Sequence, residues 1–495
     1  MLSLLAFRSL LYRPWRSALL LVGYGMGVGV MIVLLSIGEA LLDQARNERL
    51  VGGGDVTVLP EGLDIEVMKT GGIGGLFFSI DHSRFIYRQI LTSPRLAASV
   101  HAVSPQIDGR LVYMHTRTGT VATRATGEIP SATRAVGAAP EIAAGTWRDD
   151  DDDRRFVAPT PRELYDELDH FHMPSASVEN RDTWAEWHYF NVLAPGGRSW
   201  IFISYIVGGD VLGPAWGGRL AITVHDSTGA IRRYASSAPA PRVRFSTTDA
   251  DVRIGDASVT VLPDGRYAVK GSATPEGTSG PPLTLDLVVT PAPRAYFPGA
   301  ALGGGEFVSG YVVAGLRADA SGRVCEGARC TAYDGVQSYH DHNWGVWRGV
   351  TWDWGASRAG SYTILYGRVN PPDSSASTTP FFVYLVDSLG FRAVFRPRVI
   401  AYTDATTILV NGTPVRVPST AEFADVRGDD TLRVHLDIES AMGTDTRAGL
   451  VERGDRTRAV RRPYFIQMKG RATISGRVGG APVAGTGSGF FETYR

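Results

Sequence analysis

The densest chemical cluster in the chain is Tyr339-His340-Asp341-His342-Asn343-Trp344-Gly345-Val346-Trp347, followed closely by Trp352-Asp353-Trp354-Gly355. A second cluster, Trp184-Ala185-Glu186-Trp187-His188-Tyr189-Phe190-Asn191, lies upstream of it. Carboxylic acids and imidazoliums donate protons, and each indole face attracts a cation by about 0.5 to 2 kcal/mol. Asp341 and Asp353 are therefore candidate acids, with His342 as partner or water-positioning base and His340 beside it. Trp344, Trp347, Trp352, Trp354 and Tyr366 would wall a ligand site, joined by Trp187, His188 and Asn191. On an extended segment His340 and His342 share one face and Asp341 takes the other, so all three meet one substrate only where the strand bends. A plain packing role also fits, with rings as core and histidines satisfied by their neighbours. His340, His342 and His188 could supply three zinc ligands. Nothing in their spacing joins His188 to the other two, so no metal or other cofactor is expected.

Other chemistries find no footing. The chain has neither a G-x-S-x-G elbow nor an H-E-x-x-H helix. With 50 Lys+Arg against 50 Asp+Glu its formal charge is zero, which removes a whole-chain electrostatic case for nucleic acid.

Side chains of this kind need a scaffold, and 58 Gly and 28 Pro dispersed over 495 residues favour tight turns between short strands. From about residue 175 the pattern is β: Trp200–Val207, Arg219–His225, Ser258–Leu262, Arg266–Lys270 and Leu283–Val289 are rich in β-branched and aromatic residues. Phe381–Val386, Phe391–Phe395, Ile408–Val410 and Leu432–Ile438 continue it. So many strands predict a mainly β chain with two successive antiparallel barrels, 159–345 and 346–495. Thr160, Pro161 and Glu163 mark the start of a short helix over Pro161–Asp169. Asp149–Asp153 reads as a solvated linker. Cys325 and Cys330, in GRVCEGARC, are close enough for a small-loop disulfide in an oxidising compartment, or stand as two free thiols.

Ala18 to Gly38 carries no charge and is long enough to cross a bilayer as a helix. Arg8, Arg13 and Arg16 precede it and Glu39 and Asp43 follow, which places the N-terminus in the cytoplasm and the bulk of the chain outside. The expectation is a single-pass protein of the inner (plasma) membrane, extracytoplasmic or periplasmic beyond residue 48. Within 49–158, strand-like Asp55–Leu59, Gly109–Tyr113 and Gly119–Arg124 surround helix-like Arg84–Leu91, a small α/β module.

Residues 1 to about 60, with FRSLLYRPWRSALLLVGYGMGVGVMIVLLSIGEALLDQ and GGGDVTVLPEG, resemble the start of ABC-transporter permeases of the macrolide-exporter and lipoprotein-releasing type. Nothing after Gly38 is apolar enough for the further spans such permeases have, so the resemblance implies at most a first span, an external domain and an ABC transporter as partner.

Trp187 to Asn191, His340 to Gly345 and Gly485 to Glu492 resemble the carotenoid 1,2-hydratase (hydroxyneurosporene synthase) family, which includes lipocalin-like proteins. That resemblance covers about 175–495. It implies a tandem lipocalin-like fold binding an apolar lipid or isoprenoid between or inside the barrels. A hydro-lyase of this kind protonates a C=C bond and adds water to the tertiary cation. One departure stands out: where the family carries Tyr-x-Asp, this chain has Tyr366-Gly367-Arg368, and Arg cannot donate a proton at ordinary pH. Three functions remain open: a membrane-anchored lipid-binding protein, a hydro-lyase, and an exporter's adaptor subunit without ligand.

Overall fold

The computed structural model describes residues 14–46, 56, 80–96, 98–137, 147–197, 199–226, 230–304, 307–347, 349–372, 380–446 and 462–495. The chain divides into two compact units, Met1–Tyr87 with Ser99–Asp153, and Arg88–Ala98 with Arg154–Arg495.

In the first unit, helix α1 spans Pro14–Arg46, and its stretch Pro14–Gly38 is long and apolar enough to cross a membrane. Helix α2 (Ile80–Thr92) precedes the antiparallel hairpin of β1 (Gln106–Thr116) and β2 (Gly119–Glu128). Helix and hairpin lie where the sequence places Arg84–Leu91, Gly109–Tyr113 and Gly119–Arg124, while Asp55–Leu59 falls outside the described residues except for position 56. A short helix α3 (Pro130–Ala135) follows. The acidic run faces solvent, and Asp151–Val157 forms helix α4, with Asp150 Oδ1 accepting from the amides of Asp152 and Asp153. Three carboxylates in the first turn favour the positive end of the helix dipole, which explains the helix.

The second unit opens with α5 (Pro161–Asp169), whose capping box pairs Thr160 and Glu163 as their spacing predicts. Its first β segment holds β3 (Trp184–Leu193), β4 (Trp200–Gly209), β5 (Trp216–His225), β6 (Ile231–Pro239), β7 (Val243–Phe245), β8 (Val252–Ile254) and β9 (Ala257–Val261). It continues through β10 (Tyr267–Pro275), β11 (Leu283–Pro291), β12 (Phe297–Gly304), β13 (Phe307–Glu326) and β14 (Arg329–Val346). The order β11-β13-β14-β3-β4-β5-β6-β10 closes on itself, because β10 also pairs with β11. This is an eight-stranded barrel. Alternation drives it: Leu283, Leu285, Leu287 and Val289 of β11 are buried while Thr284 and Thr290 are exposed. Phe190, Tyr205, Leu220, Ile222 and Tyr267 fill the interior with their own side chains.

The second β segment comprises β15 (Thr351–Ala359), β16 (Tyr362–Asn370), β17 (Phe382–Asp387), β18 (Gly390–Phe395), β19 (Ala401–Thr403), β20 (Thr406–Val410) and β21 (Thr413–Val417). Then come β22 (Thr420–Arg427), β23 (Asp430–Asp445), β24 (Tyr464–Val478) and β25 (Ala481–Tyr494). Its sheet runs β18-β17-β16-β15-β25-β24-β23-β22-β19 and stays open among the described residues, a half-barrel where the sequence predicts a full one. Pro397, lacking an amide donor, lies two residues past the end of β18, where the strand stops. Ile364, Tyr366, Val383, Leu385, Val434 and Phe491 pack its concave core.

The two β segments lock face to face. Gln337 Nε2 donates to the Ser488 carbonyl at 3.1 Å, Tyr384 Oη donates to the Tyr296 carbonyl at 3.1 Å, and Arg358 pairs with Asp319 at 2.8 Å. Cys325 and Cys330, opposed across β13 and β14, form a disulfide.

Candidate functional site

Strand β14 divides two chemistries. Its period of two sends His340, His342 and Trp344 toward the filled barrel and Tyr339, Asp341 and Asn343 toward the half-barrel. The neighbouring strand β3 repeats the split, because His342 pairs with His188 and Asp341 with Tyr189.

On the half-barrel side lies a cavity of about 860 Å³ between the two β segments. The indoles of Trp187, Trp347, Trp352 and Trp354 line it, with Asp341 and Glu492 as its buried acids. Tyr339 Oη donates to Asp341 Oδ2 at 2.6 Å and Asn343 Nδ2 to Asp341 Oδ1 at 2.8 Å. Trp354 Nε1 donates in turn to Tyr339 Oη at 3.0 Å, so the phenol is directed at the carboxyl group. Burial, helped by the charge of Glu492, pushes the Asp341 carboxyl up to about 8 despite these donors. Tyr189 Oη donates to Glu492 Oε1 at 2.7 Å and Trp352 Nε1 to Glu492 Oε2 at 2.9 Å, with Gln467 Nε2 at 3.3 Å. Burial raises Glu492 as well. The site thus offers two carboxyl groups poised above the ordinary carboxylate range in an aromatic cavity.

On the barrel side, α5 delivers Asp169 into the interior. His340 Nε2 lies 2.7 Å from Asp169 Oδ2, His342 Nδ1 lies 3.1 Å from Oδ1, and His188 Nδ1 lies 3.3 Å from Oδ2. Asp169 and all three histidines are fully buried. His342 Nε2 reaches Glu186 Oε1 at 2.9 Å, and Glu186 also accepts from the His172 backbone amide at 2.7 Å. Burial opposes charge on His342, but contact with Asp169 and Glu186 prevails and raises the imidazole to about 10. Burial would lift Asp169, yet facing His340 and His188 it sits well below the usual carboxylate range. Burial dominates at His188, lowering it to about 4. The ring nitrogens and carboxylate oxygens of Asp169, His188 and His340, and of His172, Glu186 and His342, form two donor groups compact enough for a metal ion.

The residues expected to act together occupy three surroundings. Asp341 faces the cavity with Trp187, Trp347, Trp352 and Trp354. His340, His342 and His188 face the barrel interior, and Trp344 stacks on His172 at 3.7 Å. Asp353 turns into the half-barrel, where Arg368 pairs with it at 2.7 Å and Tyr402 and Thr493 donate to it at 2.9 and 2.7 Å. Asp353 does not line the cavity. Arg368, the departure from the family's pattern, therefore serves as Asp353's counter-ion. Tyr366 is buried against Phe423 and Phe491, and Asn191 is buried off the cavity. Glu492, Tyr189 and Gln467 complete the cavity with Tyr339 behind Asp341, and Asp169, Glu186 and His172 complete the inner cluster. Glu492 had a signal, the acidic end of the Gly485–Glu492 stretch; Asp169 had none.

Fold and site together define a two-part antiparallel β protein with an acid-bearing aromatic cavity between its parts. No family model matches the chain, and no curated protein matches it. Among solved structures it is similar to a protein assigned as AttH from Nitrosomonas europaea, at 16% identity and a TM-score of 0.44, covering 66% of this chain and 98% of that one. It is also similar to kievitone hydratase from Nectria haematococca (14% identity, TM-score 0.39, 66% and 94% covered). CghA with Sch210972 is a third (12%, TM-score 0.41, 68% and 96%).

Proposed function

We propose that this chain binds an apolar, isoprenoid-like ligand in the cavity between its β segments and adds water across a C=C bond of that ligand. The observation that carries this reading is the Asp341 carboxyl on the wall of an indole-lined cavity, held from behind by Tyr339 and Asn343. The alkene π pair takes the Asp341 proton to form a C–H bond, leaving a tertiary cation and a carboxylate. Two donors already aimed at that carboxylate stabilise it without reorganisation. The indole faces attract the cation. A water held by Glu492 supplies the lone pair for the C–O bond, and the proton it sheds returns to Asp341, restoring the acid. The sum is alkene plus water giving an alcohol.

In this reading α1 tethers the chain to the membrane with the β segments outside the cytoplasm, and an ABC exporter is the partner that the N-terminal resemblance suggests. The test is to purify the full chain in detergent, identify co-purifying lipid by mass spectrometry, and supply an acyclic carotenoid. A product heavier by one water, absent with Asp341→Asn, supports the reading. Retention of the ligand without any product reduces the function to binding, and retention of no apolar ligand overturns the proposal.

A further inference from the structure

We propose that the buried cluster beneath β14 is a structural zinc site, with Asp169, His188 and His340 as ligands. Three observations converge on it. First, neither ring nitrogen of His188 has an aligned hydrogen-bond partner, although the side chain is fully buried. An imidazole stripped of water with both nitrogens idle is costly, and a metal bond is one way to use it. Its Nδ1 lies 3.3 Å from Asp169 Oδ2, the separation about 2.0 Å metal bonds give two tetrahedral ligands.

Second, His340 Nδ1 lies 3.0 Å from the Tyr189 carbonyl oxygen, to which it can only donate. In the neutral imidazole that bond leaves the Nε2 lone pair directed at Asp169 Oδ2, 2.7 Å away. A lone pair facing a carboxylate oxygen is repulsive unless a proton or a metal ion lies between them. An imidazole oriented through its far N–H by a backbone carbonyl is the usual support of a metal-bound histidine. Seating an ion requires this pair to part by about half an ångström, given the bond lengths of zinc sites.

Third, Asp169 and the adjacent Glu186 are both buried, and among the described residues only histidines lie within ion-pair distance of either. A cation beside Asp169 balances the negative charge that the His342 imidazolium, set between Asp169 and Glu186, leaves over. Tyr267 Oη is also buried without an aligned partner, and its ring centroid lies 4.7 Å from that of His340. Phe171 and Phe190 close the surroundings of the histidines, which suits a structural ion rather than one open to substrate. The site lies on the opposite face of β14 from Asp341, so it stands independently of the hydratase reading.

The full chain, purified in detergent without chelators, should contain about one equivalent of zinc by plasma mass spectrometry, and H188Q and D169N should each fall below about a tenth. H435Q, which removes an exposed histidine flanked by Glu422 and Asp437, controls for adventitious binding and should keep the metal. Full zinc in H188Q overturns the proposal. So does wild-type protein that contains no zinc and, refolded with cobalt, shows no visible absorption of a histidine-bound ion. Where H188Q fails to fold, that wild-type cobalt spectrum decides alone.

Discussion

Asp341 is the residue on which chemistry and stability pull in opposite directions. Its carboxyl group is neutral up to about pH 8 in the fold and ionises near the ordinary Asp value when unfolded. Between those values the folded state holds the extra proton, so folding stability declines as pH rises and levels off above about 8. Asp341→Asn should therefore melt higher than wild type at pH 9, with the gap closing toward pH 4, as thermal denaturation would show. The same variant should lose at least about 100-fold in hydration rate, the lower end of what a general acid contributes, while ligand affinity changes little. Wild-type turnover should fall as pH passes about 8, because only the protonated acid donates. A rate that climbs through that range would remove Asp341 as the donor. Part of this was legible in Tyr339-His340-Asp341-His342-Asn343, whose alternation already separates acid from imidazoles. The partners were not, since Asp169 is 171 residues from His340 and Glu492 is 303 from Tyr189, and only folding brings them together.

Among elements, the close approach of β16 to β15 sets the cavity wall. A Cβ at Gly367 would meet the Trp354 ring at 2.4 Å, and one at Gly310 would meet the Trp344 ring at 2.1 Å. Gly367→Ala should drive Trp354 into the cavity and weaken ligand binding about tenfold by fluorescence titration, with overpacking costing about 1–3 kcal/mol in urea melts. An unchanged affinity would mean that Trp354 does not touch ligand. Short strands such as Trp200–Val207 and Leu283–Val289 were readable because the first is an almost unbroken apolar and aromatic run and the second alternates Leu with Thr and Asp. The 20-residue β13 and 18-residue β14 were not, because Gly, Asp, Arg and Ser interrupt them and bulges restore the register. Hydrophobic pattern reports burial, and these strands leave the core for much of their length.

For the whole chain, the proposed extracytoplasmic placement makes the disulfide and the N-terminal helix the features to test. Replacing both Cys325 and Cys330 with Ser should cost about 2 kcal/mol, the amount expected for so short a loop, measured by urea denaturation with and without reductant. Cell fractionation should leave the intact chain in the membrane pellet and release it when residues 1–48 are deleted. Recovery of the intact chain in the soluble fraction would count against a tether. The tandem β plan was legible from strand spacing and the resemblance, but the openness of the second sheet depends on edges, and pattern along one strand says nothing about which edges meet.

Strand β14 behaves as a party wall: one ribbon with an indole-lined room on one side and a buried vault on the other. Because alternate residues serve alternate rooms, adding or removing a single residue between Ser338 and Trp344 would swap the furnishings, walling in the acid and putting imidazoles before the guest. Substitutions here are repairable one at a time. Changes in length are not, so the count of residues in this stretch is under tighter constraint than most of their identities.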